Sequence, residues 1–284
     1  MRVRYSFSSR RTRRTAKMRK QKQKYPLVVQ RIVLNSDIIL QILDSRFIEG
    51  TRNLELEEMI KKKKKKIINV LNKSDLIDKK AVKEELLMEI SPYVFTSCIK
   101  RVGISKLRDL VKQESKKIEK PVNKDKNDKV TVGVIGYPNT GKSSLINVLI
   151  GKNSAKTGSE AGFTKGMQKL KLTSEIQLLD SPGVIPNKEY SGINALAIAK
   201  HTKVGGRSFS QVKNPELVIS QFIKEYPNLL EKHYKINAQG NSETLLEKLG
   251  KQKNFLKKGG EINEDQTARF ILKEWQEGKI KLSK

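Results

Sequence analysis

Cysteine and histidine are scarce in this chain of 284 residues, and long apolar runs are absent. The single cysteine, Cys98, excludes a disulfide within the chain and suits a reducing compartment, so we expect a cytoplasmic protein. No apolar run approaches the roughly 18 to 20 residues of a membrane span, which predicts a soluble protein without a membrane partner. The two histidines, His201 and His233, lack neighbours typical of a catalytic site, and we expect both to be incidental.

Acidic residues are outnumbered, because 59 Lys or Arg face 30 Asp or Glu and give a formal net charge of +29. Such an excess predicts a polyanionic partner. Nucleic acid fits better than a membrane, since no stretch combines the charge with a strongly apolar face.

The positive charge is densest in residues 1–24, which hold eleven Lys or Arg and no acidic residue. Few apolar residues there could be buried, so we predict an arm that is disordered in isolation and orders on RNA. Two other interpretations stay open: a solvated tail, and a mitochondrial transit peptide, since the arm is rich in Arg and Ser. A second run, Lys61 to Lys66, is either an RNA contact or a solvated helix end.

One stretch fits the phosphate-binding pattern Gly-x-x-x-x-Gly-Lys-Ser at every fixed position. Residues 129–135 before it indicate a buried strand, and residues 142–150 after it indicate a helix. The loop amides and the helix N-terminus would then face one anion, and Lys142 would supply a cation for the β- and γ-phosphates. The predicted nucleotide contacts are Gly136, Tyr137, Pro138, Asn139, Thr140, Gly141, Lys142, Ser143 and Ser144.

Three further apolar segments, 38–43, 67–71 and 93–96, are predicted strands, and polar residues follow each of them. Open parallel sheets bind ligands at the carboxyl ends of their strands, so we expect these polar residues to meet at one edge. They are Asp44-Ser45-Arg46, Asn72-Lys73-Ser74-Asp75 and Ser97-Cys98. Adjacent strands over 167–173 and 175–179, with a helix over 104–120, complete a predicted α/β fold with a mostly parallel sheet.

The second of these polar segments has the chemistry to recognise guanine. The Asp75 carboxylate can accept from N1–H and the exocyclic amine, whereas adenine offers a bare acceptor at N1. Asn72 would tie this loop to its neighbours, and the stem of Lys73 would cover the base. Ser97 and Cys98 would add a backbone amide to the guanine carbonyl oxygen.

Several residues indicate a magnesium site and a γ-phosphate site. Ser143 would bind Mg²⁺ directly, and Asp180 in Asp180-x-x-Gly183 would reach it through water, with the Gly183 amide toward the γ-phosphate. Thr164 is the candidate for closing over Mg²⁺, with Thr157 as the alternative. Together with Lys142, Thr164 and Gly183 are the predicted catalytic residues.

Two features bear on the rate of hydrolysis. Val184 follows Gly183, so the glutamine that orients water in Ras-like enzymes is missing, and slow intrinsic hydrolysis is expected. Asn139 either holds a potassium ion against the phosphates or is a structural loop residue.

After the sheet, a short helix is predicted over 191–200 and a loop over 204–212. The C-terminal third then has a helical pattern: one helix starts at Asn214-Pro215-Glu216 with Asn214 as its cap, another starts at Ser242, and a third covers 264–277. In the last helix Asn263 and Gln266 form a capping pair, Gly278 is a stop, and Trp275 belongs to the core or stacks on RNA. The predicted organisation is an arm over 1–24, a nucleotide-binding domain over 25–202 with a linker near 121–128, and a small all-α domain over 203–284.

The order of these motifs is unusual, because the base-recognition pair precedes the phosphate loop. A fold whose termini lie close together tolerates such a permutation. With the motifs above and Gly162-Phe163-Thr164, residues 25–284 resemble the circularly permuted ribosome-assembly GTPases of the YlqF/RbgA type, especially archaeal members. Cys98 departs from the family's usual alanine.

The resemblance implies a monomeric GTPase that uses GTP and Mg²⁺ and binds the precursor of the large ribosomal subunit through rRNA. Two other functions stay open. One is an RNA-binding scaffold with a purely structural nucleotide site, and the other is a signalling GTPase with a protein partner.

Overall fold

The computed structural model describes residues 28–118, 129–151, 168–180 and 209–281. The predicted arm, the 121–128 linker, a short helix expected over 191–200, and Thr157, Thr164, Gly183 and His201 lie outside these ranges. Within them, no helix is both long and apolar enough to cross a membrane.

In the described part of the chain, six strands form one sheet in the order β3-β2-β1-β4-β6-β5. All neighbouring strands are parallel except β5 and β6, which pair antiparallel, so the predicted mostly parallel sheet and the predicted adjacent strand pair are confirmed. The bounds are β1 Ile38–Asp44, β2 Lys66–Asn72, β3 Tyr93–Phe95, β4 Val130–Gly136, β5 Gln168–Lys171 and β6 Ile176–Asp180.

Helices cover both faces of this sheet because alternate residues of β1 point to opposite sides. Ile38 and Leu40 pack with Leu107 and Leu145 on one face, and Ile39 packs with Ile32 on the other. The helices are α1 over 28–34, α2 Ile48–Thr51, α3 Leu54–Lys62, α4 Glu84–Glu89, α5 Ile104–Lys116 and α6 Lys142–Ile150.

The predicted bounds of α6 are confirmed, whereas α5 ends at Lys116, before the predicted residue 120. Helix α6 is bounded by Gly141 and Gly151, both with left-handed backbone angles. Helix α3 ends within the lysine run, and Lys61 to Lys64 are exposed.

Four helices at the C-terminal end enclose a second core, which we call the C-terminal bundle (residues 209–281). Trp275 is fully buried in it, so the core interpretation of this residue is confirmed and stacking of its indole on RNA is not supported. The helices are α7 Pro215–Glu225, α8 Leu229–Tyr234, α9 Ser242–Gln252 and α10 Glu264–Glu277.

The predicted helix ends in the bundle have mixed outcomes. Asn263 caps α10 by accepting from the Gln266 amide at 3.1 Å, and Gly278 ends that helix, as predicted. Asn214 precedes α7 but its side chain makes no capping bond, so that prediction was wrong; Pro215 in the first turn sets the start instead. Residues 209–211, expected to be loop, form a turn of 3₁₀ helix.

Candidate functional site

The parallel register brings the polar strand ends to one edge of the sheet. Asp44 at the end of β1 pairs with Asn72 at the end of β2, and Ile42 pairs with Gly136 at the start of the phosphate loop. Asp180 ends β6 opposite Val134 of β4. Segments separated by more than a hundred residues therefore border one site.

The phosphate loop curls back on its own backbone. The Thr140 hydroxyl donates to the Tyr137 carbonyl oxygen at 2.9 Å, and the Lys142 Nζ donates to the same oxygen at 2.8 Å. Asn139 and Gly141 adopt left-handed backbone conformations, with φ of 59° and 92°. The loop thus leads directly into the N-terminus of α6, where backbone amides favour an anion.

Lys142 is buried within this loop, and burial lowers the pKa of its amine to about 8. The carboxylate of Asp180 opposes this shift but does not cancel it. A phosphate group beside the amine would favour its charged form and raise the pKa again. The site is therefore suited to bind an anion.

Asn72 bonds three neighbouring segments together. Its Nδ2 donates to the Thr140 carbonyl oxygen at 2.8 Å, and its Oδ1 accepts from the Thr96 hydroxyl and the Cys98 thiol, each at 3.3 Å. A Cβ at position 141 would lie 2.3 Å from Asn72 Nδ2, so only glycine fits there. These three bonds join the loops that the sequence predicts Asn72 to connect.

The segment after Asn72 forms a tight turn that presents Asp75. Lys73 has a left-handed backbone, and residues Ser74–Leu76 form a turn of 3₁₀ helix in which Asp75 is half-buried. The Ser74 amide donates to the Thr96 carbonyl oxygen at 3.0 Å, which joins this turn to the end of β3.

The Ser97–Cys98 segment closes the same side of the site. The backbone amide of Ser97 is already bonded to the Val102 carbonyl oxygen at 3.0 Å, which leaves Cys98 as the better source of a free base-contacting amide. Burial raises the pKa of the Cys98 thiol to about 11, so this cysteine stays protonated at neutral pH. Asp75 adds to that rise through its charge.

Sequence reasoning assigned no role to Asp44, which has a central place in the structure. Its buried carboxylate pairs with Arg46 at 2.8 Å and with Lys73 at 2.9 Å. Burial raises its pKa, but the two cations outweigh that effect and hold it well below the usual range for aspartate. The available signal was the pair of opposite charges, Asp44 and Arg46, directly after a segment that is apolar except for Gln41.

The candidate magnesium ligands in the described residues are Ser143, at the start of α6, and Asp180, at the end of β6. Both present oxygen atoms, the donor type that Mg²⁺ prefers. The described residues contain no group of three or more His, Cys, Asp or Glu that could hold a metal alone. The donor set fits Mg²⁺ held jointly by the protein and by nucleotide phosphates.

Comparison with known proteins supports the assignment of a nucleotide-binding site. Residues 131–248 match the family model described as 50S ribosome-binding GTPase. That match begins in β4, so the predicted base-recognition segments precede it in the chain.

Three curated relatives are informative. A GTP-binding protein of Methanocaldococcus jannaschii is 39% identical over 93% of this chain and 68% of its own length. Ribosome biogenesis GTPase A of Bacillus licheniformis is 30% identical, covering 84% of this chain and 86% of that protein. Nucleolar GTP-binding protein 2 of Pneumocystis carinii is 35% identical over 87% of this chain, which spans about half (50%) of that relative.

Among solved structures, GNP-bound YlqF from T. maritima shares the fold, with a TM-score of 0.62 over 91% of this chain and 95% of that chain at 19% identity. The sheet order, the position of the phosphate loop between β4 and α6, and these relatives all indicate a nucleotide-binding α/β fold. The chain therefore belongs to the family of 50S ribosome-binding GTPases and has its P-loop GTPase fold.

Proposed function

We propose that this protein binds and hydrolyses GTP and acts in the biogenesis of the large ribosomal subunit through contacts with rRNA. The observation that carries the proposal is the bond from Asn72 to Thr140, because it joins a guanine-recognition turn to a phosphate loop in one site. The relative named Ribosome biogenesis GTPase A supports the biological setting.

Guanine is selected on the side of the site formed by β2 and β3. Asp75 accepts from N1–H and the exocyclic amine, and an adenine base would leave this half-buried carboxylate without a donor. The Cys98 amide donates to the guanine carbonyl oxygen, with Ser97 holding that segment, and the stem of Lys73 covers the base. These roles agree with the positions of the residues at the sheet edge.

The phosphates bind across the N-terminus of α6. The backbone N–H groups of residues 136–144, except at Pro138, and the Lys142 ammonium balance their charge, and Ser143 and Asp180 would hold Mg²⁺. When bound there, Mg²⁺ would supply positive charge to neutralise the phosphates. On sequence grounds, Thr164 and the Gly183 amide complete the γ-phosphate contacts.

Hydrolysis depends on a stimulus that the protein alone does not supply. Position 184 is valine, so no glutamine orients the attacking water, and turnover by the protein alone is slow. The large subunit, together with a potassium ion that Asn139 would hold, would supply the missing stabilisation of the transition state.

RNA binding relies on the positive charge of the chain. The arm over 1–24 and the exposed lysines of the run at 61–64 offer cations to backbone phosphates. The charge of +29 suits a ribonucleoprotein partner better than it suits a signalling partner.

The test is GTP turnover by the full chain with and without purified large subunits, in potassium and in sodium. We expect turnover to rise with subunits and to be faster in potassium. Lys142→Met should lose turnover, while Lys106→Met, an exposed lysine on α5, should keep it. If subunits bind the protein but never stimulate turnover, a scaffold with a structural nucleotide site replaces this proposal.

A further inference from the structure

The C-terminal bundle contacts the nucleotide-binding sheet directly behind the base-recognition turn. Arg46, two residues after the end of β1, donates from Nη1 to the Trp275 carbonyl oxygen at 2.9 Å. Its guanidinium carbon lies 5.0 Å from the centre of the Trp275 ring, within the range of a cation–π contact. The Phe47 ring lies 5.7 Å from the same indole.

Arg46 also fixes the carboxylate that holds Lys73. Its Nε donates to Asp44 Oδ1 at 3.0 Å and its Nη2 to Asp44 Oδ2 at 2.8 Å, the bidentate geometry that arginine alone provides. The Lys73 ammonium lies 2.9 Å from the same Oδ2. A continuous chain of contacts thus runs from Lys73 through Asp44 and Arg46 to Trp275.

The central contacts of this series are buried, so each contact depends on the others. The side chains of Arg46 and Asp44 are 1% and 0% exposed. Moving Arg46 with the bundle would leave Asp44 with one cation in a low-dielectric site, which costs far more than the same change in water. The bundle and the Lys73 turn therefore cannot shift independently without a penalty.

A second contact joins the same two parts. A Cβ at position 278, at the end of α10, would lie 2.6 Å from Leu76 Cδ1. Leu76 directly follows Asp75 and is the last residue of the 3₁₀ turn. The end of α10 therefore packs against the turn that presents the proposed guanine ligand, while Trp275 contacts it through Arg46.

We propose that Asp44 and Arg46 are positioning residues for guanine binding, and that through them the C-terminal bundle responds to whether a guanine nucleotide is bound. The proposal rests on the function above, because it assumes that Lys73 and Asp75 contact guanine. The contacts lie on the base side of the site, away from the γ-phosphate. GDP and GTP therefore act alike on the bundle, and by linkage the docked bundle tightens both nucleotides by one common factor.

The chain carries its own reporter for this coupling, because Trp275 is its only tryptophan. We would measure Trp275 emission and nucleotide affinity in the full chain, using GDP, a non-hydrolysable GTP analogue and ATP. The expected result is the same emission change at saturation with GDP and the analogue, and none with ATP at the same concentration.

Two variants break the chain of contacts from different ends. Arg46→Lys removes the bidentate pair, and Lys73→Met keeps the stem over the base but removes the pair with Asp44. Both should abolish the emission change, and Arg46→Lys should weaken GDP and the analogue equally, by about 5- to 100-fold if the coupling is of typical size. Arg108→Lys is the matched control, because Arg108 bonds the Leu149 carbonyl oxygen on α6 and leaves the bundle unaffected.

The outcomes separate this inference from the function on which it rests. Failure of the unmodified chain to bind any guanine nucleotide overturns the proposed function. Tight GDP binding with no Trp275 response, or with unchanged affinity in a folded Arg46→Lys protein, overturns the coupling alone. A response to the GTP analogue but not to GDP also overturns it, since the signal would then come from the γ-phosphate.

Discussion

The side-chain amide of Asn72 lies 2.8 Å from the carbonyl oxygen of Thr140, although 68 residues separate the two in the chain. The bond sets the distance between the base turn and the phosphate loop. A nucleotide that spans both has to match that distance, so the bond prepares the site before the ligand arrives.

Asn72→Ala should therefore weaken GDP and GTP together, by about 10- to 100-fold, because the two halves of the site are no longer held in register. The protein should also lose about 1–3 kcal/mol of stability, since the buried Thr140 carbonyl and Thr96 hydroxyl lose a partner. Titration calorimetry and thermal unfolding measure the two effects. Asn69→Ala is the control, because Asn69 on the same strand bonds the Ile90 carbonyl oxygen away from the site. Equal affinity losses in the two variants would mean that Asn72 acts only through stability.

Asp75→Asn should move the preference from GTP toward xanthosine triphosphate. The amide presents a donor where xanthine has a carbonyl oxygen, and it can no longer accept two bonds from guanine. Competition binding with both nucleotides measures the change, and Asp109→Asn, an exposed carboxylate on α5, is the matched control. Unchanged GTP affinity in Asp75→Asn would place the base site elsewhere.

Nucleotide binding should take up a proton near pH 8. Burial lowers the pKa of Lys142 to about 8 in the free protein, and phosphates raise it, so the bound form holds a proton that half of the free molecules lack at that pH. Affinity should be flat below about pH 7 and fall as pH rises through 8. Calorimetry in buffers of different ionisation enthalpy should give an uptake of about half a proton at pH 8.

Lys142→Arg provides the control, because arginine stays charged and has no proton to take up. The same linkage predicts that the nucleotide-free protein gains stability as pH rises from about 8 toward 10.5, where the unfolded chain binds more protons than the folded one. Proton uptake identical in Lys142→Arg and the unmodified chain would assign the effect to another group.

Removal of residues 1–24 should weaken binding to RNA or to large subunits and make its salt dependence shallower, because eleven positive charges are lost. Filter binding at several salt concentrations gives the slope directly. The same slope with and without the arm would mean that the arm does not contact phosphate.

Local patterns were enough to predict the strands and the bounds of α6, because each is specified by nearby residues. The run from Ile38 to Leu43 is apolar except for Gln41, a composition typical of a strand that is buried on both faces. The helix after the phosphate loop is bounded by two glycines in the sequence itself. Asn214 was a wrong capping prediction, because residue type indicates a capping capacity and the local backbone decides whether the bond forms.

The contact between Arg46 and Trp275 could not be predicted, since nothing in the spacing of residues 229 positions apart specifies it. The sequence placed Trp275 on an apolar stripe without saying that its neighbour would be a guanidinium. The lowered pKa of Lys142 depends on burial among folded segments and is likewise absent from any local pattern. Local patterns thus predict the separate segments of the site, whereas the contacts between those segments are seen only in the tertiary structure.

The central claim is that the sheet edge around Asn72, Asp75 and Lys142 selects a guanine nucleotide. Titration of the full chain with GDP, GTP analogue and ATP in the presence of Mg²⁺ tests it most directly. We predict one binding site for guanine nucleotides and ATP binding weaker by at least about 1,000-fold, as expected when the half-buried Asp75 carboxylate loses its donors. Equal affinities for GTP and ATP, or no binding of either, would contradict the account.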